Sequence, residues 1–241
     1  MSPSAAVAVI GAGLSGSACA RALAERGVAC ALFDKGRGPG GRLSARRVQT
    51  AAGEARFDHG AQYLTARRDA FRSRLEQLEL QGLAERWTGR LVRVSASGEE
   101  TDLPVEDRWV GTPGMNAIVR GLQDGLDVAY GRRALRLEGG AGAWRIRFED
   151  GGEAGPFEAV LMTVPPEQLA DLLRASEGDH AGLIAQAEAA RLAPNQTVMA
   201  LYDATMEAGF DGARIEGGAV GWAARMASRP GRADMEAVVL Q

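Results

Sequence analysis

The chain has 241 residues, 46% of them hydrophobic, and a formal net charge of −3, enough for one large domain or two interleaved ones. That balance, with an isoelectric point near 5.6, excludes a broadly basic, nucleic-acid-binding surface. No apolar run reaches the ~18 residues that a membrane-spanning helix needs, and the N-terminus enters a strand with no basic leader region, so neither a membrane span nor a secretory signal is expected.

Ala5 to Ile10 is a continuous apolar run, as a central parallel strand requires. It leads into Gly11-Ala12-Gly13-Leu14-Ser15-Gly16, the glycine spacing of a dinucleotide-binding turn. Gly11 allows the sharp turn into a helix. A side chain at Gly13 would block a pyrophosphate, and one at Gly16 would hold the helix off the strand. The helix from Ser17 to Arg26 is rich in small residues, stops at Gly27, and offers free N–H groups and a positive dipole end at its start. A second strand, Val28 to Phe33, ends at Asp34, where such units place a carboxylate for a ribose hydroxyl. The plainer alternative is a tight strand–helix turn with a solvated aspartate. Candidate dinucleotide contacts are therefore Gly11, Ala12, Gly13, Ser15, Gly16 and Asp34.

Lys35-Gly36-Arg37-Gly38-Pro39-Gly40-Gly41-Arg42 is too rich in glycine and proline for a helix or central strand, and it brings three cations to the predicted pyrophosphate. With Asp34 before it and Leu43-Ser44 after, it resembles the glycine loop of flavin-dependent amine oxidases. The resemblance implies an FAD cofactor, with Lys35, Gly41 and Arg42 among its contacts. Three further stretches, Phe57 to Arg67, Arg108 to Ile118 and Val220 to Arg225, resemble the renalase-like branch of that superfamily, particularly its bacterial members. From this likeness, Gly60, Ala61 and Gln62 are expected against the isoalloxazine ring. Gln62 and Tyr63 are expected to face substrate, and the backbone around Ala134 to meet adenine. Without the likeness, Phe57 to Arg67 reads as an ordinary strand and turn with a buried tyrosine.

Farther along, Ala70 to Arg86 has helical spacing, Leu91 to Val94 begins a β-rich excursion, and a helix is expected from Met115 to Leu122. Ala134 to Leu137 and Trp144 to Phe148 read as a hairpin. Leu161 to Pro166 resembles the strand and turn leading out of a cofactor domain. Helices are expected at about 168–174 and 182–191, and strands at 198–202 and 218–224. The fold expected is α/β: an FAD-binding Rossmann-like domain with a parallel sheet (1–66 and 106–166). It is interleaved with a β-rich α+β substrate domain (67–105 and 167–241), as in p-hydroxybenzoate hydroxylase-like proteins. Glu236 to Gln241 reads as the middle of a strand, and the resemblance implies a further C-terminal segment that closes the flavin site.

Cys19 and Cys30 look like packing residues in a reducing cytoplasm rather than a disulfide or metal pair. His59 and His180 are the only histidines and lie far apart, which gives a transition-metal site little support; for His59 beside Asp58, a packing role outweighs an electrostatic one. Lys35 is the only lysine, and its place at the predicted pyrophosphate keeps it from serving as a base near the flavin. No residue is assigned as catalytic. Hydride transfer from a dihydronicotinamide needs no general base. The renalase-like resemblance implies a cytoplasmic FAD-dependent oxidase taking hydride from 2- or 6-dihydro-NAD(P) isomers, with dioxygen as acceptor, and the lack of an assigned base fits it. Oxidation of a small amine, and a non-catalytic dinucleotide-binding protein, are the alternatives. Neither a nucleic acid nor a membrane is expected as a partner.

Overall fold

The computed structural model describes residues 6–241, in which the chain alternates between two compact units, Met1–Gly41 with Leu122–Ala193 and Arg42–Gly121 with Pro194–Gln241. The first unit opens with strand β1 (Val7–Ile10), helix α1 (Leu14–Ala24) and strand β2 (Cys30–Asp34). β1 and β2 are the two inner strands of a four-stranded parallel sheet, flanked by Ala159–Met162 beside β1 and Asp127–Tyr130 beside β2. Because side chains alternate across a strand, the sheet presents two apolar faces. Val9 and Leu32 pack with Ala12 and Ala20 on the α1 side. Ala8, Ile10, Ala31 and Phe33 pack on the other side with Leu137, Ile146, Phe148 and Phe157, which come from an antiparallel sheet of Ala134–Glu138, Trp144–Phe148 and Glu153–Phe157. The rings of Phe33 and Phe148 lie 5.0 Å apart. This layering, helix on parallel sheet on antiparallel sheet, is the expected α/β arrangement.

The second unit is built on a six-stranded sheet in the order 198–202, 236–240, 222–225, 212–215, 91–94 and 100–102. A hairpin of Ala45–Thr50 and Gly53–Asp58 and a short pair of Ala84–Arg86 with Trp109–Gly111 accompany it, with helix Asp69–Leu80. Among the described residues no helix is long and apolar enough to cross a membrane.

Several boundaries differ from expectation for local reasons. The helix expected to reach Arg86 ends at Leu80, because Gly82 takes a φ of +69° and the Leu83 N–H turns back to the Leu78 carbonyl at 2.9 Å, a glycine-dependent helix stop. Residues 84–86 then form a strand. The helix expected from residue 168 begins at Pro166, whose fixed φ suits a first turn. The strand expected from Gly218 starts only at Trp222.

The exchanges between units fall at 41/42, 121/122 and 193/194, against expected changes near 66, 106 and 166. Helix Pro166–Arg174 stays with the first unit because Leu172 joins its core and the Leu137 N–H donates to Ser176 Oγ at 2.8 Å. Residues 42–66 group with the second unit, where Leu64 and Trp109 exchange both backbone hydrogen bonds at 2.8 Å.

Two neighbouring strands of the large sheet are also joined by a side-chain pair. Arg225 donates through Nε and Nη2 to the two Glu236 oxygens at 2.7 and 2.8 Å. This bond holds the Glu236 carboxyl below the usual carboxylate range, against the opposing effect of its burial. The stabilisation is therefore complete at neutral pH and is lost as the pH falls through the lowered pKa. Glu236→Gln is expected to lower the melting temperature at pH 7, and the gap from wild type should narrow as the pH falls below the ordinary glutamate range. A gap unchanged from pH 7 to pH 3 would show that the charge of Glu236 contributes nothing.

Candidate functional site

In the first unit, the turn between β1 and α1 is fixed by contacts that tolerate only glycine. Gly11 has a φ of +100° and donates its N–H to the Phe33 carbonyl at 2.8 Å. A Cβ at Gly16 would sit 1.8 Å from the Gly11 carbonyl oxygen, so helix and strand meet only because that position has no side chain. The second glycine segment comes directly against the first. Gly13 and Gly40 form a parallel bridge, and a Cβ on Gly41, at φ +57°, would approach the Gly13 Cα to 3.2 Å. Asp34 ties both loops together: Oδ2 accepts from the Ala12 N–H at 2.7 Å and Oδ1 from the Gly36 N–H at 2.6 Å. Each oxygen keeps a lone pair for a ribose hydroxyl.

Three residues the sequence did not single out for this turn complete its support. Thr163 Oγ1 donates to the Gly11 carbonyl at 2.8 Å. Gln123 donates through Nε2 to the Ala12 carbonyl and to Ser17 Oγ, both at 2.9 Å, and accepts from the Tyr130 hydroxyl. Burial, with a smaller contribution from Asp34, pushes the Tyr130 phenol upward, so it remains a donor. Only the position of Gln123 after an apolar helix hinted at this role.

The start of α1 has no side-chain cap and no acidic residue in its first turn, which leaves N–H groups and a positive dipole end to an anion. Ser15 is exposed there, as are Lys35 and Arg37, and neither cation is ion-paired among the described residues. Ala134 lies in the same unit, two residues beyond Arg132, whose N–H donates to the Asp34 carbonyl at 2.8 Å. A glycine-lined cradle, an uncapped helix start and unpaired cations fit a dinucleotide pyrophosphate. Cys19 and Cys30 are free thiols beside this sheet. Cys30 is raised chiefly by burial, which suits packing and not reactivity.

In the second unit, residues 58–63 are held by a buried polar cluster. The fully buried Asp58 accepts from the Met115 N–H at 2.9 Å through Oδ1. Its Oδ2 accepts from Arg229 at 3.0 Å and from Arg232. Gln62 donates through Nε2 to the Asp58 and Gly60 carbonyls at 2.7 and 3.0 Å. Its Oε1 accepts from Arg229 at 2.6 Å and Trp222 at 3.2 Å. The amide is thus saturated, and Gln62 positions its own loop.

Gly60 packs so tightly on Arg42 that a Cβ would fall 2.1 Å from the Arg42 carbonyl oxygen, which also accepts the Ala61 N–H at 2.9 Å. The Arg42 side chain itself is exposed. His59 contributes its backbone, its carbonyl accepting from Thr197 and Gln241, both at 3.1 Å. Tyr63 stands half-buried between Trp222 and Trp87, with ring centroids 5.8 and 6.3 Å away, and the Arg108 guanidinium lies 5.6 Å from its ring.

These features agree with two family matches. Residues 9–78 match a family described as an NAD(P)-binding Rossmann-like domain, and residues 96–211 match flavin containing amine oxidoreductase. By these two matches the chain is similar to flavin containing amine oxidoreductases. The two matches indicate FAD as the cofactor and a likeness to flavin-dependent oxidoreductases. Its fold is shared with solved structures of low identity. A structure of wild-type putrescine oxidase bound to putrescine is 13% identical with a TM-score of 0.70, the match covering 97% of this chain and 74% of that one. A protein assigned as a protoporphyrinogen oxidase from Exiguobacterium sp. 255-15 is 12% identical with a TM-score of 0.69, covering 100% of this chain and 77% of the other.

Proposed function

We propose that this protein is a renalase-like oxidase of the flavin amine oxidase superfamily. It would take hydride from 2- or 6-dihydro isomers of NAD(P) and yield NAD(P)+ and hydrogen peroxide. Bound FAD would supply the hydride-accepting ring and pass the electrons to dioxygen. The cradle of Gly11, Gly13, Gly16 and Gly41, with Ser15, Asp34, Lys35 and Arg42, would hold its ribose and pyrophosphate, and Ala134 its adenine. Gly60 and Ala61 would lie against the isoalloxazine ring, kept in place by Gln62 and Asp58.

The observation that carries the reading is that the Asp58 carboxylate and the Gln62 amide are committed to holding the 58–63 segment. Asp58 is spent on two arginines and a backbone N–H, and Gln62 is saturated. The sole lysine, Lys35, sits in the phosphate loop. A dihydronicotinamide gives up its hydride without losing a proton, so such a site suffices for it. Tyr63 and Trp222, both half-buried, would offer aromatic faces to a planar ring.

A second reading, oxidation of a small amine, is favoured by the shared fold with putrescine oxidase. Anaerobic mixing of the flavin-loaded protein with 6-dihydro-NAD separates the two. Bleaching of the flavin band within seconds, reversed by air, is the expected result. A bound flavin that responds to diamines and ignores this donor would overturn the proposal. Arg42→Ala is expected to weaken FAD binding about tenfold through loss of a charge-assisted phosphate contact, measured by flavin retained on dialysis.

A further inference from the structure

We infer that the Asp58–Arg229–Arg232 cluster holds an unneutralised positive charge behind the Gly60–Gln62 segment and so raises the reduction potential of the flavin; this rests on the proposed placement of that segment against the ring. Two guanidiniums share one carboxylate there. The Arg229, Arg232 and Asp58 side chains are 0%, 1% and 0% exposed, so water does little to screen the surplus. The Nε atoms of both arginines have no partner. No other carboxylate among the described residues pairs with either one. Burial pushes Arg229 down to about 10, which still leaves it protonated at neutral pH.

The charge reaches the segment directly, because Arg229 donates to Gln62 Oε1 at 2.6 Å and the same amide donates to the Gly60 carbonyl at 3.0 Å. A buried pair or triad of charges is often no more stable than apolar residues of the same volume. Stability alone therefore does not call for the second arginine. Reduction adds electron density to a flavin ring, and a fixed positive field favours that form.

Arg232 also donates to the Gly111 and Pro230 carbonyls at 2.9 and 3.0 Å, so the test must separate charge from scaffolding. The flavin midpoint potential, by dye equilibration, and the affinity for sulfite would be measured on the FAD-loaded wild type, Asp58→Asn and Arg232→Gln. Asp58→Asn adds net positive charge, and the potential should rise with sulfite binding about tenfold tighter. Arg232→Gln removes it, so the potential should fall and sulfite should bind about tenfold more weakly. Should Arg232→Gln not fold, Arg229→Lys against Arg229→Met reads the same charge, with only the lysine variant keeping the wild-type potential. Shifts of equal sign in the Asp58 and Arg232 variants, or none, would overturn the inference and leave the proposed function standing. A wild type that binds no flavin would overturn both.

Discussion

Asp58→Ala is expected to destabilise the protein by about 3–5 kcal/mol, the cost of removing one partner from a buried ionic group. Among the described residues the carboxylate is the only counter-charge to Arg229 and Arg232, both of which are buried, and it also accepts the Met115 N–H. Alanine would leave two buried guanidiniums without a counter-charge, bonded only to Gln62 and to the Gly111 and Pro230 carbonyls. Thermal and urea unfolding would measure the loss, and a variant within about 1 kcal/mol of wild type would show that water enters and screens the pair. Asp58→Asn keeps an acceptor and should lie between the two.

Gly16→Ala is the second large effect. Its Cβ would fall 1.8 Å from the Gly11 carbonyl oxygen and 2.8 Å from Thr163 Oγ1, so α1 must move away from β1. Gly11, Thr163 and Gln123 hold that turn from three directions, so the displacement cannot be absorbed by one side chain. A loss of about 3 kcal/mol, the upper part of the range for overpacking, is expected. The start of α1 would also be displaced, so flavin should be absent from the purified variant. Retention of flavin at wild-type occupancy would refute the assignment of α1 as the pyrophosphate-binding helix.

The two groups of candidate residues were legible to different degrees. The glycine turn between β1 and α1 could be read in advance because its constraints are local. Strand, glycines, helix and Asp34 follow one another within a single turn of fold, and each glycine has a backbone reason to be there. The second group depends on long-range partners. Asp58 meets residues 171 and 174 positions away, and nothing around Arg229-Pro230-Gly231-Arg232 marks those arginines as buried. Without them, the hydrogen bonds that Gln62 accepts from Arg229 and Trp222 could not be foreseen. The helix expected at about 168–174 is present at 166–174, but it packs on the 134–138 strand and the 181–189 helix, partners that its own periodicity does not name.

The position of Lys35 has a practical consequence. It is the only side-chain amine in the chain, and it is exposed on the loop that follows Asp34. An amine-acylating reagent therefore has a single side-chain target, resolved from the N-terminal amine by peptide mass. Dinucleotide bound in the cradle should slow acylation at Lys35 while the N-terminal amine reacts unchanged. Occupancy could then be followed as a footprint on one residue, with no need of colour or turnover.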